Sequence, residues 1–262
     1  MIEIWSEKAE VRFGHVDRSD RLTLWNIFNF FQEVAISHAK ALGAGRADLA
    51  NAGFAWILSR LSVFVRRRPA FGETIELKTW PRGCEKLFAL RDYQILDAES
   101  NVVVCGRAGW LVLDIEKRRP LRPQPVAEKM PVNNGIDAFP SGPAALGQRE
   151  NPVKIMERTA LYSDIDAFGH TNNARYIQWI QDATDMDILT NASQIRLDIN
   201  YLSEALPGDT VELWAAPLSG TEQSKDENYP AAPGPAFAYE GRRPLTLSVN
   251  PGQIVFRAEL YT

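Results

Sequence analysis

The chain has 262 residues, 45% hydrophobic and 24% charged, with a formal charge of −4, the composition of one large or two modest globular domains. That charge gives no reason to expect nucleic acid or an anionic membrane as partner, no apolar run approaches the roughly 20 residues that span a bilayer, and the charged opening MIEIWSEKAEVRF lacks the apolar core of a secretion signal. Two cysteines, Cys84 and Cys105, make neither a disulfide framework nor a zinc motif, so a cytoplasmic protein without metal or cofactor is expected.

Early in the chain, LTLWNIFNFFQEVAISHAKALG carries Leu24, Ile27, Phe28, Phe31, Val34, Ala35, Ala39 and Leu42 at helical spacing, which predicts a helix with one buried face. Thr23 or Asp20 is the expected cap at its start, and Gly43 its stop. FAWILSRLSVFVRRRP, ETIELKTWP, LFALRDYQIL and VVVCGRAGWLVLDI follow. They are rich in β-branched and aromatic residues and predict consecutive antiparallel strands. A long helix followed by a meander of strands predicts an α+β unit, a sheet wrapped around a helix. From Glu116 to Pro152 periodicity is lost and seven of the sixteen prolines gather, the pattern of a linker.

The order then restarts. ARYIQWIQDATDMDIL predicts a second helix, and QIRLDINYL, DTVELWAAP and QIVFRAELY predict further strands, with GTEQSKDENYPAAPGPAFAYEG as a long mobile loop between the last two. NFFQEVA at Asn29 resembles QWIQDAT at Gln178, an offset of 149 residues, and GETIEL at Gly72 resembles GDTVEL at Gly208, an offset of 136. The expected organisation is an N-terminal unit over 1–116, a linker over 117–152 and a C-terminal unit over 153–262.

Polar residues concentrate in SDIDAFGHTNNARYIQW, where the second helix begins, and His170 within it is one of three histidines in the chain. With the two offsets, His170 falls on Arg21 and Glu204 falls on Arg68, so an imidazole–carboxylate pair exists only in the second half. Taken singly, Asp166, Asn172 and Asn173 also fit ordinary turn and cap positions. Asp164 reads as structural, His15 and His38 as surface or packing residues, and the two cysteines as small core residues.

A helix-plus-sheet unit repeated in one chain, with FGHTNNARYIQW opening the second helix, resembles the acyl-acyl-carrier-protein thioesterases. The resemblance extends over VDRSDRLTLWNIFNFFQEVAISHAKALG, WILSRLSVFVRRRPAFGETIELKTWPRG and GWLVLDIEKRRPLRP in the first half, and SDIDAFGHTNNARYIQWIQDA and INYLSEALPGDTVEL in the second. It implies two hotdog folds in tandem, each a long helix wrapped by an antiparallel sheet. It also implies hydrolysis of fatty acyl-carrier thioesters to free fatty acid, ending chain elongation. The family's catalytic aspartate matches Asp166, its histidine His170 and its glutamate Glu204. Its asparagine two positions before the histidine is Phe168 here, and the cysteine that some members carry after the glutamate is Ala205, so no cysteine nucleophile stands there.

Thioester hydrolysis needs a nucleophile, a base and a stabilised oxyanion. No Gly-x-Ser-x-Gly elbow is present, so water activated by a base is the simpler scheme. A partly desolvated Glu204 at a strand end, or His170, is the expected base. Asp166 is expected to orient the imidazole, and Asn172 with the unpaired N–H groups of the helix start to stabilise the oxyanion. The resemblance places the acyl tunnel largely in the first half, between helix and sheet. Trp25, Phe28, Phe31, Trp56, Leu58 and Phe64 are candidates for its lining, although for each a plain core role fits as well. An acidic acyl carrier protein calls for a basic dock, for which Arg66, Arg67, Arg68, Arg118 and Arg119 are the candidates. The same residues would serve an acyl-CoA thioesterase or a non-catalytic acyl-thioester-binding protein, and a tandem pair is compatible with a monomer or a homodimer.

Overall fold

The structure is a computed structural model that describes residues 3–123, 126, 128, 130–133, 135–218, 235–245 and 250–262. The chain divides into unit 1, Met1–Pro143, and unit 2, Ala144–Thr262.

Unit 1 contains β1 (Trp5–Glu10), the long helix α1 (Leu24–Ala41), the short helix α2 (Arg46–Asn51), β2 (Phe54–Val65), β3 (Thr74–Glu85), β4 (Phe88–Leu96), β5 (Val102–Asp114) and β6 (Arg119–Leu121). Its antiparallel sheet runs β1-β3-β4-β5-β2, with β6 hairpinned onto β5. The predicted stripe buries Leu24, Ile27, Phe28, Phe31, Val34 and Ala35. Ala39 and Leu42 are only half-buried, and His38 completes the stripe instead, stacked on Trp5 with its Nδ1 3.2 Å from the buried Arg91. Thr23 occupies the cap position of α1 without a side-chain capping bond, since its hydroxyl donates to the His15 carbonyl. Gly43 ends the helix at φ +66°, where a Cβ is penalised.

Unit 2 contains β7 (Val153–Thr159), α3 (Asn173–Ala183), α4 (Met186–Asn191), β8 (Ile195–Tyr201), β9 (Thr210–Pro217), β10 (Ala236–Arg242) and β11 (Ile254–Tyr261). Its sheet runs β7-β9-β10-β11-β8, the order of unit 1 strand for strand. The single helix expected over 174–189 is broken at Thr184. There the hydroxyl bonds back to the Ile180 carbonyl (2.7 Å) and to Tyr239 (2.8 Å), and Asp185 caps a new helix by accepting from Asp187 N (2.8 Å). The loop expected over 220–241 contains β10, whose Phe237 to Arg242 pair with both β9 and β11; residues 219–234 lie outside the described residues. The edge strands β1 and β7 carry no expectation from sequence.

The segment expected as a linker divides between the units and packs down on each. Trp80 Nε1 donates to the Ile136 carbonyl (2.9 Å), and Ala138 N donates to the buried Asp92 carboxylate (2.8 Å), which also binds Arg107. In unit 2, Leu146 N donates to Asn200 Oδ1 (2.9 Å), and Arg149 pairs with Glu259. An extended, proline-rich stretch docks this way because buried polar side chains on the sheet offer partners to its free backbone groups.

Candidate active site

The loop that carries His170 is built twice. In unit 2, Asp166 N donates to His170 O (2.9 Å), Gly169 N to Asp166 O (3.0 Å), and Thr171 N to Ala205 O (2.9 Å). In unit 1, Asp17 N donates to Arg21 O (3.0 Å), Asp20 N to Asp17 O (3.0 Å), and Leu22 N to Pro69 O (2.8 Å). These are the same bonds at the offsets of 149 and 136 residues. The left-handed turn position matches too, φ +81° at Gly169 and φ +55° at Asp20.

What fills the loop differs. In unit 2, His170 Nε2 lies 3.2 Å from Glu204 Oε2, with the two side chains 44% and 51% exposed. The two groups separated by 34 positions in sequence therefore meet. In unit 1 the equivalent positions hold Arg21, which is exposed, and Arg68, which is buried and ion-paired with Asp17. Burial pushes the Asp17 carboxyl up, but hydrogen bonds from Ser19 and Arg68 outweigh it and hold it below the usual carboxylate range.

Asp166 accepts Phe168 N (2.8 Å) and, more weakly, His170 N (3.5 Å) through one carboxylate oxygen. It thus restrains the backbone on which the imidazole is mounted. Asn172 is the cap of α3, its Oδ1 accepting Ala174 N (2.8 Å), while its carbonyl accepts Arg175 N (2.8 Å). Two of the helix-start donors expected for an oxyanion are thereby spent inside the chain. Among the described residues, the Asn173 N–H is the donor of that first turn with no partner. Glu204, expected as a partly desolvated carboxylate at a strand end, lies three residues beyond β8 with about half of its side chain in water.

Two residues with no signal in the sequence hold this loop. Tyr176, on the buried face of α3, accepts Ala205 N at 3.0 Å. Burial pushes its hydroxyl up to about 12. Arg243, just beyond β10, donates to Asp209 Oδ2 (2.7 Å) and to the Glu204 carbonyl (3.0 Å). Tyr176 reads as a core aromatic in its helical stripe, and Arg243 as one more cation after a proline-rich stretch.

Of the acyl-lining candidates, Phe28, Phe31 and Leu58 are buried, and Trp25 and Trp56 are half-buried. Phe31 stacks on Tyr93 at 4.5 Å, over Gly106, where a Cβ would come within 3.0 Å of its ring. Trp56 belongs to a smaller cluster with Ala44, Leu49, Val112 and Val126 beside α2. Phe64 departs from the expectation. A bulge between Leu58 and Arg60 reverses the side-chain alternation of β2, so Phe64 pairs with Cys105 on the face of Arg107, opposite the face that meets Phe31.

The basic candidates also separate. Arg68 is buried against Asp17 and is not available as a docking surface, and Arg67 is held bidentately by Glu73 (2.8 Å twice). Arg66 is exposed with its guanidinium 5.6 Å from the Phe64 ring centroid, and Arg118 and Arg119 are exposed at the β5–β6 hairpin. No helix among the described residues is long and apolar enough to cross a membrane. Among those residues, no group of three or more His, Cys, Asp or Glu is arranged to hold a metal ion.

Comparison with known proteins assigns the chain from both ends. Residues 3–129 match the acyl-ACP thioesterase N-terminal domain, and residues 148–230 match the acyl-ACP thioesterase C-terminal domain. A chloroplastic palmitoyl-acyl carrier protein thioesterase from Cuphea hookeriana is 24% identical over 226 residues, which is 77% of this chain and 52% of the relative. The chloroplastic oleoyl-acyl carrier protein thioesterase 1 of Arabidopsis thaliana is 25% identical over 79% of this chain and 62% of its own length. The chain thus spans about half to three-fifths of the length of these curated relatives. In fold, it is similar to an acyl-ACP thioesterase from Bacteroides thetaiotaomicron, with a TM-score of 0.78 over 98% of this chain and 97% of that one at 24% identity. It is also similar to the 12:0-ACP thioesterase of Umbellularia californica, with a TM-score of 0.77 over 98% and 93% at 18% identity. Two domain matches in the family's order, across two units of one strand order, make this chain a member of the acyl-ACP thioesterase family.

Proposed function

We propose that the protein hydrolyses fatty acyl-acyl-carrier-protein thioesters, with its two units as tandem hotdog folds and the reaction centred on His170 and Glu204 in unit 2. The observation that carries this reading is the 3.2 Å approach of His170 Nε2 to Glu204 Oε2, in the one repeat that keeps both side chains. A half-exposed pair suits a substrate that arrives from outside on a carrier and a nucleophile drawn from solvent.

In this scheme Glu204 takes a proton from water as the water oxygen attacks the thioester carbonyl carbon. The tetrahedral oxyanion is met by the Asn173 N–H, which points from the start of α3; one such donor contributes roughly 3–4 kcal/mol in mutational tests. When the C–S bond breaks, the departing thiolate recovers the proton held between Glu204 and His170, leaving free fatty acid and carrier thiol. Asp166 and Asn172 act by holding the loop and helix start in place. Unit 1 contributes the acyl-chain site, for which Trp25, Phe28, Phe31, Trp56 and Leu58 remain the lining candidates. Arg66, Arg118 and Arg119 remain candidates for meeting the acidic carrier.

The test is steady-state hydrolysis across acyl-carrier thioesters of graded chain length, with coenzyme A esters in parallel. His170→Ala and Glu204→Ala should each lower kcat by about 100-fold or more, the scale of general acid–base catalysis. Activity near wild type in both variants ends the assignment. Faster turnover of coenzyme A esters would move the substrate class, and binding without release of thiol would make the protein a carrier of acyl thioesters.

A further inference from the structure

The two repeats agree on an acid that follows the loop and disagree on its partner. Glu73 in unit 1 and Asp209 in unit 2 occupy equivalent positions, and each accepts the N–H three residues earlier, from Ala70 (2.9 Å) and Leu206 (2.8 Å). In unit 1 the cation comes from the loop itself, as Arg67 grips Glu73 with both Nη atoms. In unit 2 that loop position is Ser203, and the cation comes from beyond β10 instead. Arg243 Nη1 binds Asp209, which leaves Nη2 to reach the carbonyl of Glu204.

The exchange makes sense from what each loop must hold still. In unit 1 the residue at the Glu204 position is Arg68, buried and tethered through its own side chain to Asp17. Among the described residues Glu204 has no such tether. Its carboxylate is half exposed and touches His170 only at 3.2 Å, so its direction depends on the backbone beneath it. Arg243 fixes that backbone at the Glu204 carbonyl, and Tyr176 fixes it one residue later at Ala205 N. The planar guanidinium can serve both oxygens at once, which a lysine ammonium at the end of a flexible stem does less well.

We propose that Arg243, itself held by Asp209, is a positioning residue for Glu204, and that its replacement impairs turnover by loosening the His170–Glu204 geometry. The inference rests on Glu204 being part of the reacting pair. Arg243→Lys keeps a cation opposite Asp209. It should retain a Tm near that of wild type and a KM within about two-fold, while kcat falls by about ten-fold or more, in line with the sensitivity of turnover to displacements near 1 Å. In a Glu204→Gln background the same change should cost nothing further. An unaltered kcat in Arg243→Lys overturns the proposal, and so does an equal fall in both backgrounds, which marks a purely structural role. If the Glu204→Gln rate is too low to measure, the split between kcat and KM at unchanged Tm decides. If Arg243→Lys does not fold, Asp209→Asn, which keeps the side-chain shape and frees Arg243, is judged by the same readouts. Wild-type activity in both His170→Ala and Glu204→Ala would instead remove the reading beneath the proposal, whatever Arg243→Lys does.

Discussion

Tyr176→Phe removes one oxygen from the support of the candidate site and leaves every ring contact in place. The Tyr176 ring meets Trp179, Tyr201 and Phe256 edge-on at 5.2, 5.8 and 5.5 Å, and a phenylalanine keeps all three. What goes is the acceptor for Ala205 N–H, a donor on a residue with no solvent exposure. An orphaned buried donor costs about 1–3 kcal/mol, and the variant should lose that much in denaturant unfolding at pH 7. A second signature separates this cause from general loosening. Burial pushes the Tyr176 hydroxyl to about 12, above the ordinary value near 10. The folded state therefore binds the proton more tightly than the unfolded chain, so the contribution is complete below pH 10 and declines as pH rises from about 10 to 12. Two pK units amount to about 3 kcal/mol. Wild-type stability should fall by up to that amount more than the variant's over this window, so the two curves converge. Tyr93, Tyr201, Tyr239 and Tyr261 are also pushed up, so the difference between the proteins is the quantity to read. Parallel curves from pH 7 to 12, or no loss at pH 7, refute the account.

Asp17→Asn should destabilise unit 1 by about 2–3 kcal/mol at neutral pH, less than the 3–5 typical of breaking a fully buried pair because Asp17 is a quarter exposed. Since the Asp17 carboxyl is held below its ordinary value, wild type keeps this advantage above about pH 4 and loses it as pH falls through the folded value; a gap that persists to the lowest pH at which the protein stays folded contradicts this. Gly241→Ala should cost about 1–3 kcal/mol or more, because a Cβ there would enter the Phe256 ring, and Phe256 packs on Tyr176. An unshifted denaturation midpoint would count against it.

The sequence disclosed the elements whose burial pattern is regular and withheld those set by partners far along the chain. The α1 stripe announces itself because it buries one periodic face, and the strands from Phe54 to Asp114 because they are runs of β-branched and aromatic residues, with β2 and β5 buried on both faces over much of their length. Strand β10 did not, as Ala236–Arg242 follows a proline-rich run and owes its strand form to pairing on both sides. The edge strand β1, WSEKAE, alternates half-buried with exposed residues, too weak a signal in six positions. Phe64 changed face because one extra residue enters β2 at the bulge after Leu58, an event without a composition cue. The pairing of His170 with Glu204 was legible from the family resemblance, whose histidine and glutamate match these positions, while the repeat showed only that unit 1 lacks both side chains. The roles of Arg243 and Tyr176 were not legible, since only the folded chain brings them to Glu204 and Ala205.

The duplicated loop also separates holding a shape from doing chemistry. Asp17 and Asp166 each accept the N–H two residues on, from Ser19 (2.9 Å) and Phe168 (2.8 Å), so the turn forms in both units whatever occupies its rim. At that rim unit 1 has invested in a buried Arg68–Asp17 pair, whereas unit 2 presents an exposed imidazole and carboxylate. Exposed pairs stabilise by at most about 1 kcal/mol, and buried ones are costly to break. The two positions should therefore respond in opposite ways. Replacing Glu204 should remove turnover and leave unfolding nearly unchanged, while replacing Asp17 should weaken the fold and spare the chemistry of folded molecules. A Glu204→Ala protein that loses stability as heavily as Asp17→Asn would mean that the unit 2 pair is a structural clasp like its counterpart, and the division of labour between the repeats would not stand.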